Sequence, residues 1–119
     1  MQSKEEITND KIYHKLTVAI RQYFVGRDIY NMFLHGGCYW FASTLHEYIP
    51  NSQIVFNRKI QHCACSFNCG IYDIRGRILN EGFLVATRKD IDYMQKYFIP
   101  YFDTKLISNY LSIVMSEQQ

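Results

Sequence analysis

The feature that constrains this chain most is a block of strand-type alternation enclosed on both sides by helix-type periodicity. Apolar residues recur at helical spacing before residue 50 and after residue 90, whereas the segment 52–86 alternates as strands do. Strands grouped between helices are typical of an antiparallel sheet, because parallel strands each need a long crossover connection. The sequence therefore predicts an α+β fold in which helices pack on a small antiparallel sheet of three to four strands.

The length of the chain predicts one domain. With 119 residues, two domains would each have too small an interior to be stable. Hydrophobic residues make up 48% of the chain and aromatic residues 16%, which provides enough bulky side chains for a dense core. We therefore expect a single domain over 1–119.

Charge, hydropathy and cysteine content limit the partners and the cellular compartment that we expect for the protein. The net charge of +2 is too small to indicate nucleic acid as a partner. No apolar run approaches about eighteen residues, so we expect no membrane span. The polar start resembles no secretory signal, so the four cysteines are expected to be reduced thiols in a cytoplasm.

Capping and breaking residues set the predicted boundaries. The Thr-Asn-Asp run at 8–10 is expected to cap the first helix, and Gly26 to end it. A connector follows over 27–37, and the second helix begins at Cys38, with Pro50 just past its end. The remaining predicted elements are strands over 52–59, 60–67, 70–75 and 82–86, and helices over 90–98 and 103–115.

Cys38 is the first candidate for chemistry. It follows Gly36 and Gly37 and opens an amphipathic helix. The helix dipole and free backbone N–H groups at that position favour the thiolate, which is the nucleophilic form. The glycines also let a substrate backbone approach closely. Taken alone, a free cysteine is more often a small buried apolar residue.

His62 is the second candidate. Strand alternation places His62 on the same face as Ala64, and Cys63 and Cys65 on the opposite face, in apolar packing. The small side chain of Ala64 leaves room for a helix end to pack beside His62. The alternative is an ordinary surface or core histidine.

Asp73 is the third candidate, because a lone acid in an apolar strand needs a partner. If residues 68–69 form a two-residue turn, Asp73 lies diagonal to His62 on one face of the sheet. The carboxylate would then orient the imidazole and stabilise its charged form. In the alternative, Asp73 pairs with a cation such as Arg75 or Arg77, or caps a turn.

Together these residues resemble the pattern of papain-like and transglutaminase-like cysteine enzymes, and in particular of short bacterial and phage proteins. The pattern is Gly37-Cys38-x-x-x-Ala42-x-x-Leu45, then His62-x-Ala64, then Tyr72-Asp73-x-x-Gly76. The resemblance covers about a third of the chain. It implies that the cysteine opens a helix packed against an antiparallel sheet, with the histidine and the acid on adjacent strands. It also implies a Cys38–His62–Asp73 triad and no cofactor.

The chain departs from the papain pattern at the oxyanion hole. Papain-type enzymes supply a glutamine several residues before the cysteine, whereas the nearest amide here is Asn31, seven residues upstream. The Cys38 backbone N–H is one expected donor. The candidates for oxyanion or substrate contacts are therefore Asn31, Gly37 and Trp40.

Three other patterns favour structural interpretations. A zinc site needs paired ligands on turns, and only Cys65-x-x-x-Cys69 fits that spacing loosely, so no metal is expected. The basic residues near 75–77 and 88–89 are typical of a solvated face. The aromatic residues over 93–102 indicate a helix face in the core followed by a turn, with a partner-binding patch as the alternative.

Two functions of different classes follow. The first is a cysteine hydrolase or acyltransferase acting on an amide, isopeptide or thioester bond, with a protein or peptide as substrate. In that hypothesis Cys38 attacks, His62 carries the proton and Asp73 orients His62. The second is a catalytically silent scaffold that binds and blocks a host protein, which is an expectation from the small size and from the resemblance to phage proteins.

Overall fold

A computed structural model of the chain describes residues 2–117. Three helices precede a five-stranded sheet and two helices follow it, which confirms the α+β class. The elements are α1 (Lys4–Tyr23), α2 (Ile29–Leu34), α3 (Cys38–Tyr48), β1 (Gln53–Asn57), β2 (His62–Phe67), β3 (Gly70–Asp73), β4 (Gly76–Ile78), β5 (Leu84–Val85), α4 (Arg88–Tyr97) and α5 (Thr104–Ser116). No helix among residues 2–117 has the length and apolar character needed to cross a bilayer.

The first helix begins earlier than the cap at 8–10 predicts. Ser3 accepts a hydrogen bond from the Glu6 backbone, and the Glu6 side chain accepts one from the Ser3 backbone. This capping box satisfies the first free amides of α1, so residues 8–10 lie inside the helix. Asp10 instead accepts a hydrogen bond from Asn68, which joins α1 to the turn between β2 and β3.

The expected connector over 27–37 contains the short helix α2. The Asp28 side chain caps it by accepting a hydrogen bond from the Asn31 backbone, and α2 buries Phe33 in the core. A helix of six residues is too short to show a helical period in sequence. The chain then turns at Gly37, whose backbone N–H donates to the Met32 carbonyl, and enters α3.

All strand pairs in the sheet are antiparallel, and the strand order is β4-β3-β2-β1-β5. The sheet has one strand more than the upper expectation, because Gly76–Ile78 pairs with β3 after a tight turn. Three residues are too few to display alternation, which is why this strand was not predicted.

The predicted turn at 68–69 fixes the register between β2 and β3. Asn68 and Cys69 both have positive φ, of 51° and 60°, as a type I′ hairpin turn requires. Phe67 therefore pairs with Gly70, and Cys65 pairs with Tyr72. Continuing this register sets Asp73 opposite Ala64 and diagonal to His62, as predicted.

The two faces of the sheet pack differently. The helix-covered face contributes Cys65 and Phe67 to the main core, where they meet the apolar side chains of α1, α3 and α5. The opposite face holds a smaller apolar group that includes Val55 and Ala64. The expectation that a helix end packs beside Ala64 is therefore wrong: α3 packs on the cysteine face, where Cys63 and Cys65 are buried as predicted.

Candidate functional site

Cys38 is the first residue of α3 and is 3% exposed. Its side chain packs with Ala42, Phe56, Cys63 and Met94. Gly37 is the residue before the helix, and no side chain in the described part of the protein caps the first turn. The backbone N–H groups at this end of α3 are therefore free to donate to an anion beside the thiol.

His62 lies at the start of β2, at the end of the sheet where α3 begins. It is 6% exposed, and its Nε2 lies 2.8 Å from Oδ2 of Asp73. This hydrogen bond leaves Nδ1 as the ring nitrogen available to Cys38. The hydrogen bond joins the two residues that the strand register sets diagonally.

The surroundings of His62 favour its charged form. Burial alone lowers the pKa of the imidazole, but hydrogen bonds with Asp73 and with the Cys38 thiol outweigh it. The result is a pKa raised to about 9 from an ordinary value of 6.5. An imidazolium at neutral pH is the partner that a cysteine nucleophile needs.

Asp73 is 1% exposed and binds two cationic groups at once. Besides His62, it accepts hydrogen bonds from the Arg75 backbone at 2.8 Å and from Nη2 of Arg75 at 2.6 Å. Burial would raise the pKa of this carboxyl group, but the hydrogen bonds from His62 and Arg75 lower it below its ordinary value. Asp73 therefore makes the contacts that both predicted alternatives require, one with His62 and one with Arg75.

The remaining thiols lack such a partner. Burial raises the pKa of Cys63 far above its ordinary value and that of Cys65 to about 11. Cys69 is exposed in the hairpin turn. Among the four cysteines, Cys38 is the one whose thiol raises the pKa of a histidine, that of His62.

The oxyanion and substrate candidates take different positions. Gly37 adjoins the thiol and is buried between α2 and α3, where an added Cβ would lie 2.6 Å from the Met32 carbonyl oxygen. Asn31 is exposed on α2, and its side chain joins no hydrogen bond among the described residues. Trp40 lies in the core, stacked on Phe33 with ring centroids 5.7 Å apart, and so does not line a cleft.

The side chains weighed as zinc ligands do not converge. Within residues 2–117, no three His, Cys, Asp or Glu side chains are arranged to hold a metal ion. Cys65 and Cys69, the pair with a loosely zinc-like spacing, lie in different environments. Cys65 is buried in the core, whereas Cys69 is exposed on the turn.

Phe83 is a neighbour of the site that the sequence did not indicate. Its ring stands edge-on to the His62 ring, with centroids 6.1 Å apart. It lines a groove of about 1340 Å³ that also includes Arg75 and Asn57, the strand partner of His62. No spacing pattern predicts that Phe83 lies beside His62, because the chain between β4 and β5 is irregular.

The comparisons with known proteins assign a family. No curated protein and no solved structure matches the chain. A family model described as phage YunG-like protein matches residues 16–112, which include Cys38, His62 and Asp73. That description agrees with the expected phage association. A match over this share of the chain means that the protein belongs to the phage YunG-like protein family.

Proposed function

We propose that the protein is a small cysteine hydrolase or acyltransferase, similar to papain-like and transglutaminase-like enzymes, acting on an amide, isopeptide or thioester bond. The observation that carries the proposal is the 2.8 Å hydrogen bond between His62 and Asp73, together with the effect of the nearby Cys38 thiol in raising the pKa of His62. A nucleophile, a base and an orienting acid in this order are the parts of a cysteine triad.

In the reactive state Cys38 is a thiolate and His62, whose pKa is raised to about 9, carries the proton. The thiolate attacks the substrate carbonyl carbon, a C–S bond forms, and the carbonyl electron pair moves onto oxygen. Free N–H groups in the first turn of α3 stabilise that oxyanion. The tetrahedral intermediate then expels the leaving group, which takes its proton from the imidazolium.

The second half of the reaction resolves the thioester on Cys38. Water, or an acceptor amine in an acyltransferase, loses a proton to His62 and attacks the thioester carbonyl. The C–S bond breaks, the sulfur leaves as the thiolate and His62 keeps the proton taken from the attacking group, which restores the starting state. Asp73 holds the imidazole ring through Nε2 in both halves.

A second candidate function is a silent scaffold that binds and blocks a host protein. The observation that favours it is burial, because Cys38 is 3% exposed and Asp73 is 1% exposed. In that case the Cys38–His62–Asp73 chain is a structural polar network whose buried groups satisfy one another.

An activated acetate ester distinguishes the two functions, because its acyl group is small enough to enter a narrow site. We expect p-nitrophenyl acetate to acetylate Cys38, as located by mass spectrometry, and the adduct to hydrolyse with turnover. Cys38→Ser is the matched control and should show neither step. If wild-type protein releases p-nitrophenol no faster than Cys38→Ser, the hydrolase is wrong and the scaffold is favoured.

A further inference from the structure

Helix α4 helps to bury the thiol of Cys38. Met94, on the inward side of α4, is fully buried in the apolar cluster that contains Cys38, Phe56 and Cys63. Ile91, one turn earlier in α4, packs against the same cluster. The cluster that surrounds the thiol is therefore built from α3, from strands β1 and β2, and from α4.

The segment that follows α4 lies against the start of α3. Phe98 packs against the cluster that contains Cys38. A Cβ added at Gly36 would lie 3.5 Å from the Ile99 carbonyl oxygen and 3.6 Å from the Tyr101 ring. This segment therefore continues the cover of α4 as far as the turn that precedes the thiol.

Helix α4 is attached to the rest of the protein mainly through exposed polar groups. Only Asp90 and Met94 are buried among its ten residues, whereas six of the eleven residues of α3 are buried. Three side-chain links join α4 to the turn after β1 and to α3: Arg58–Asp90 at 2.8 Å, Gln61–Tyr93 at 2.8 Å and Tyr39–Gln95 at 3.2 Å. Because exposed links of this kind contribute little to stability, α4 should separate from the sheet at a lower cost in free energy than α3.

We infer that residues 88–101, which are α4 and the segment after it, form a lid that lifts to give a substrate access to Cys38. With the lid closed, the Cys38 side chain is too buried for a substrate carbonyl carbon to reach the sulfur. Lifting the lid leaves the main core in place, because that core is built from α1, α3, α5 and the side chains of Cys65 and Phe67.

The lid reconciles a buried thiol with a nucleophile. Enzymes commonly close a lid over the reacting groups to exclude water, and open it for substrate entry and product release. Burial of Cys38 is then a property of the closed state. The role of the lid in substrate entry rests on the proposed hydrolase, whereas exposure of the thiol on lifting does not.

Thiol labelling in urea below the unfolding transition tests the lid. In the Cys69→Gly background, iodoacetamide labelling of Cys38 and Cys65 is followed by mass spectrometry as urea rises. Lifting the lid exposes little surface, so the labelling rate of Cys38 should depend weakly on urea. Cys65 lies in the main core, so its labelling rate should rise steeply, as global unfolding requires. The urea dependences are compared because they do not depend on the intrinsic reactivity of each thiol.

Two substitutions loosen the lid, and a third is the matched control. Met94→Ala removes the fully buried side chain of the lid and should accelerate labelling of Cys38 about tenfold or more without urea. Arg58→Gln breaks the ion pair with Asp90 through a side chain that is 64% exposed. It should accelerate labelling about twofold, and it covers the case in which Met94→Ala does not fold. Ile107→Val, in α5, should accelerate labelling of Cys65 about fivefold and leave that of Cys38 unchanged.

Two results would overturn the lid. One is an equal urea dependence for Cys38 and Cys65, which would mean that only global unfolding exposes Cys38. The other is a labelling rate of Cys38 that Met94→Ala and Arg58→Gln both leave unchanged. Labelling reports exposure of the thiol and not turnover, so weakly urea-dependent labelling without hydrolysis of p-nitrophenyl acetate would support the lid and contradict the hydrolase alone.

Discussion

At the scale of single residues, Asp73 is the centre of the site because two cations compete for one carboxylate. His62 binds Oδ2 at 2.8 Å, and Nη2 of Arg75 binds the same oxygen at 2.6 Å. Because the carboxylate charge is divided, His62 receives only part of the support that Asp73 can give. Arg75 is therefore a positioning residue that also limits the pKa of His62.

Replacing Arg75 with Gln should raise the pKa of His62 further, by roughly one pH unit. The Arg75 backbone N–H still holds Oδ1 of Asp73 in this variant, so the strand end is retained. The pKa is read by NMR from the ring protons of His62, and His14, His35 and His46 serve as internal references. A pKa that is unchanged or lower would show that Arg75 does not act through Asp73.

Replacing Asp73 with Asn should change how stability depends on pH. A folded pKa of about 9 against 6.5 means that the charged His62 contributes stability that is full below pH 6.5 and is lost as pH rises through 9. The neutral amide removes the main support of that charge. The variant should be less stable by about 3 kcal/mol at pH 6, and its loss of stability between pH 6.5 and 9 should disappear.

Urea unfolding at pH 6, 7.5 and 9 measures this dependence for wild type and for Asp73→Asn. Asp90→Asn is the matched control, because Asp90 also binds an arginine but touches no histidine in the described structure. If wild type and Asp73→Asn lose stability in parallel above pH 6.5, the charge on His62 is not supported by Asp73.

Sequence could predict the His62–Asp73 pair because two local rules suffice for it. Alternation sets the faces of each strand, and a two-residue turn sets the register between them. Phe83 could not be predicted, because its approach to His62 depends on the path of an irregular segment between two short strands. The core position of Trp40 could not be predicted for a related reason: helical spacing does not show that Phe33 and Phe102 pack against it.

At the scale of elements, the β2–β3 turn sets the geometry of the site while holding a strained residue. Cys69 has φ of 60°, a conformation that glycine adopts without cost. Cys69→Gly should therefore stabilise the protein by about 1 kcal/mol, because Asn-Gly is the preferred type I′ pair. Thermal unfolding measures the gain.

The side chain of Asn68 provides the opposing control at the same turn. It donates to the Glu6 carbonyl at 2.9 Å and to Asp10 at 3.0 Å, so Asn68→Gly should lower stability even though glycine suits the φ of 51°. A lowered midpoint for Cys69→Gly would contradict the assignment of strain to that residue.

The approach of α3 to α2 should position the thiol. Gly37→Ala places a Cβ 2.6 Å from the Met32 carbonyl oxygen, so the start of α3 must move. We expect a loss of about 2 kcal/mol and slower alkylation of Cys38. Gly26→Ala is the matched control, because its φ of 84° adds strain with no atom within 4 Å, so it should cost stability but leave the alkylation rate unchanged. Equal alkylation rates in the two variants would show that the contact between α2 and α3 at Gly37 does not position the Cys38 thiol.

Local sequence patterns did not predict three features at this scale: the start of α1, the helix α2 and the strand β4. Two plausible caps compete for the start of α1, and the reciprocal bonds of Ser3 and Glu6 decide between them. Helix α2 and strand β4 are too short to carry a period. Their formation depends on tertiary contacts that local patterns do not record.

At the scale of the whole molecule, the two faces of the sheet have different surroundings. Helices α1, α3 and α5 bury one face and fix Cys38 at the end of the sheet. The other face carries Phe83, beside the His62 ring, and Arg75, bound to Asp73, and both side chains line the groove. The fold class was predictable from the order of periodicities, but this difference was not, because burial on both faces of β2 hides the choice of face.

The pH dependence of Cys38 alkylation tests most directly whether Cys38, His62 and Asp73 act as one unit. Iodoacetamide labelling is followed by mass spectrometry in the Cys69→Gly background, which removes the exposed thiol. We expect Cys38 to react at a nearly constant rate from neutral pH until His62 loses its proton near pH 9. In His62→Ala the rate should fall at neutral pH by about tenfold or more and rise with pH as an ordinary thiol does. If the wild-type alkylation rate already rises with pH as that of an ordinary thiol does, and His62→Ala leaves this dependence unchanged, Cys38 and His62 do not act together.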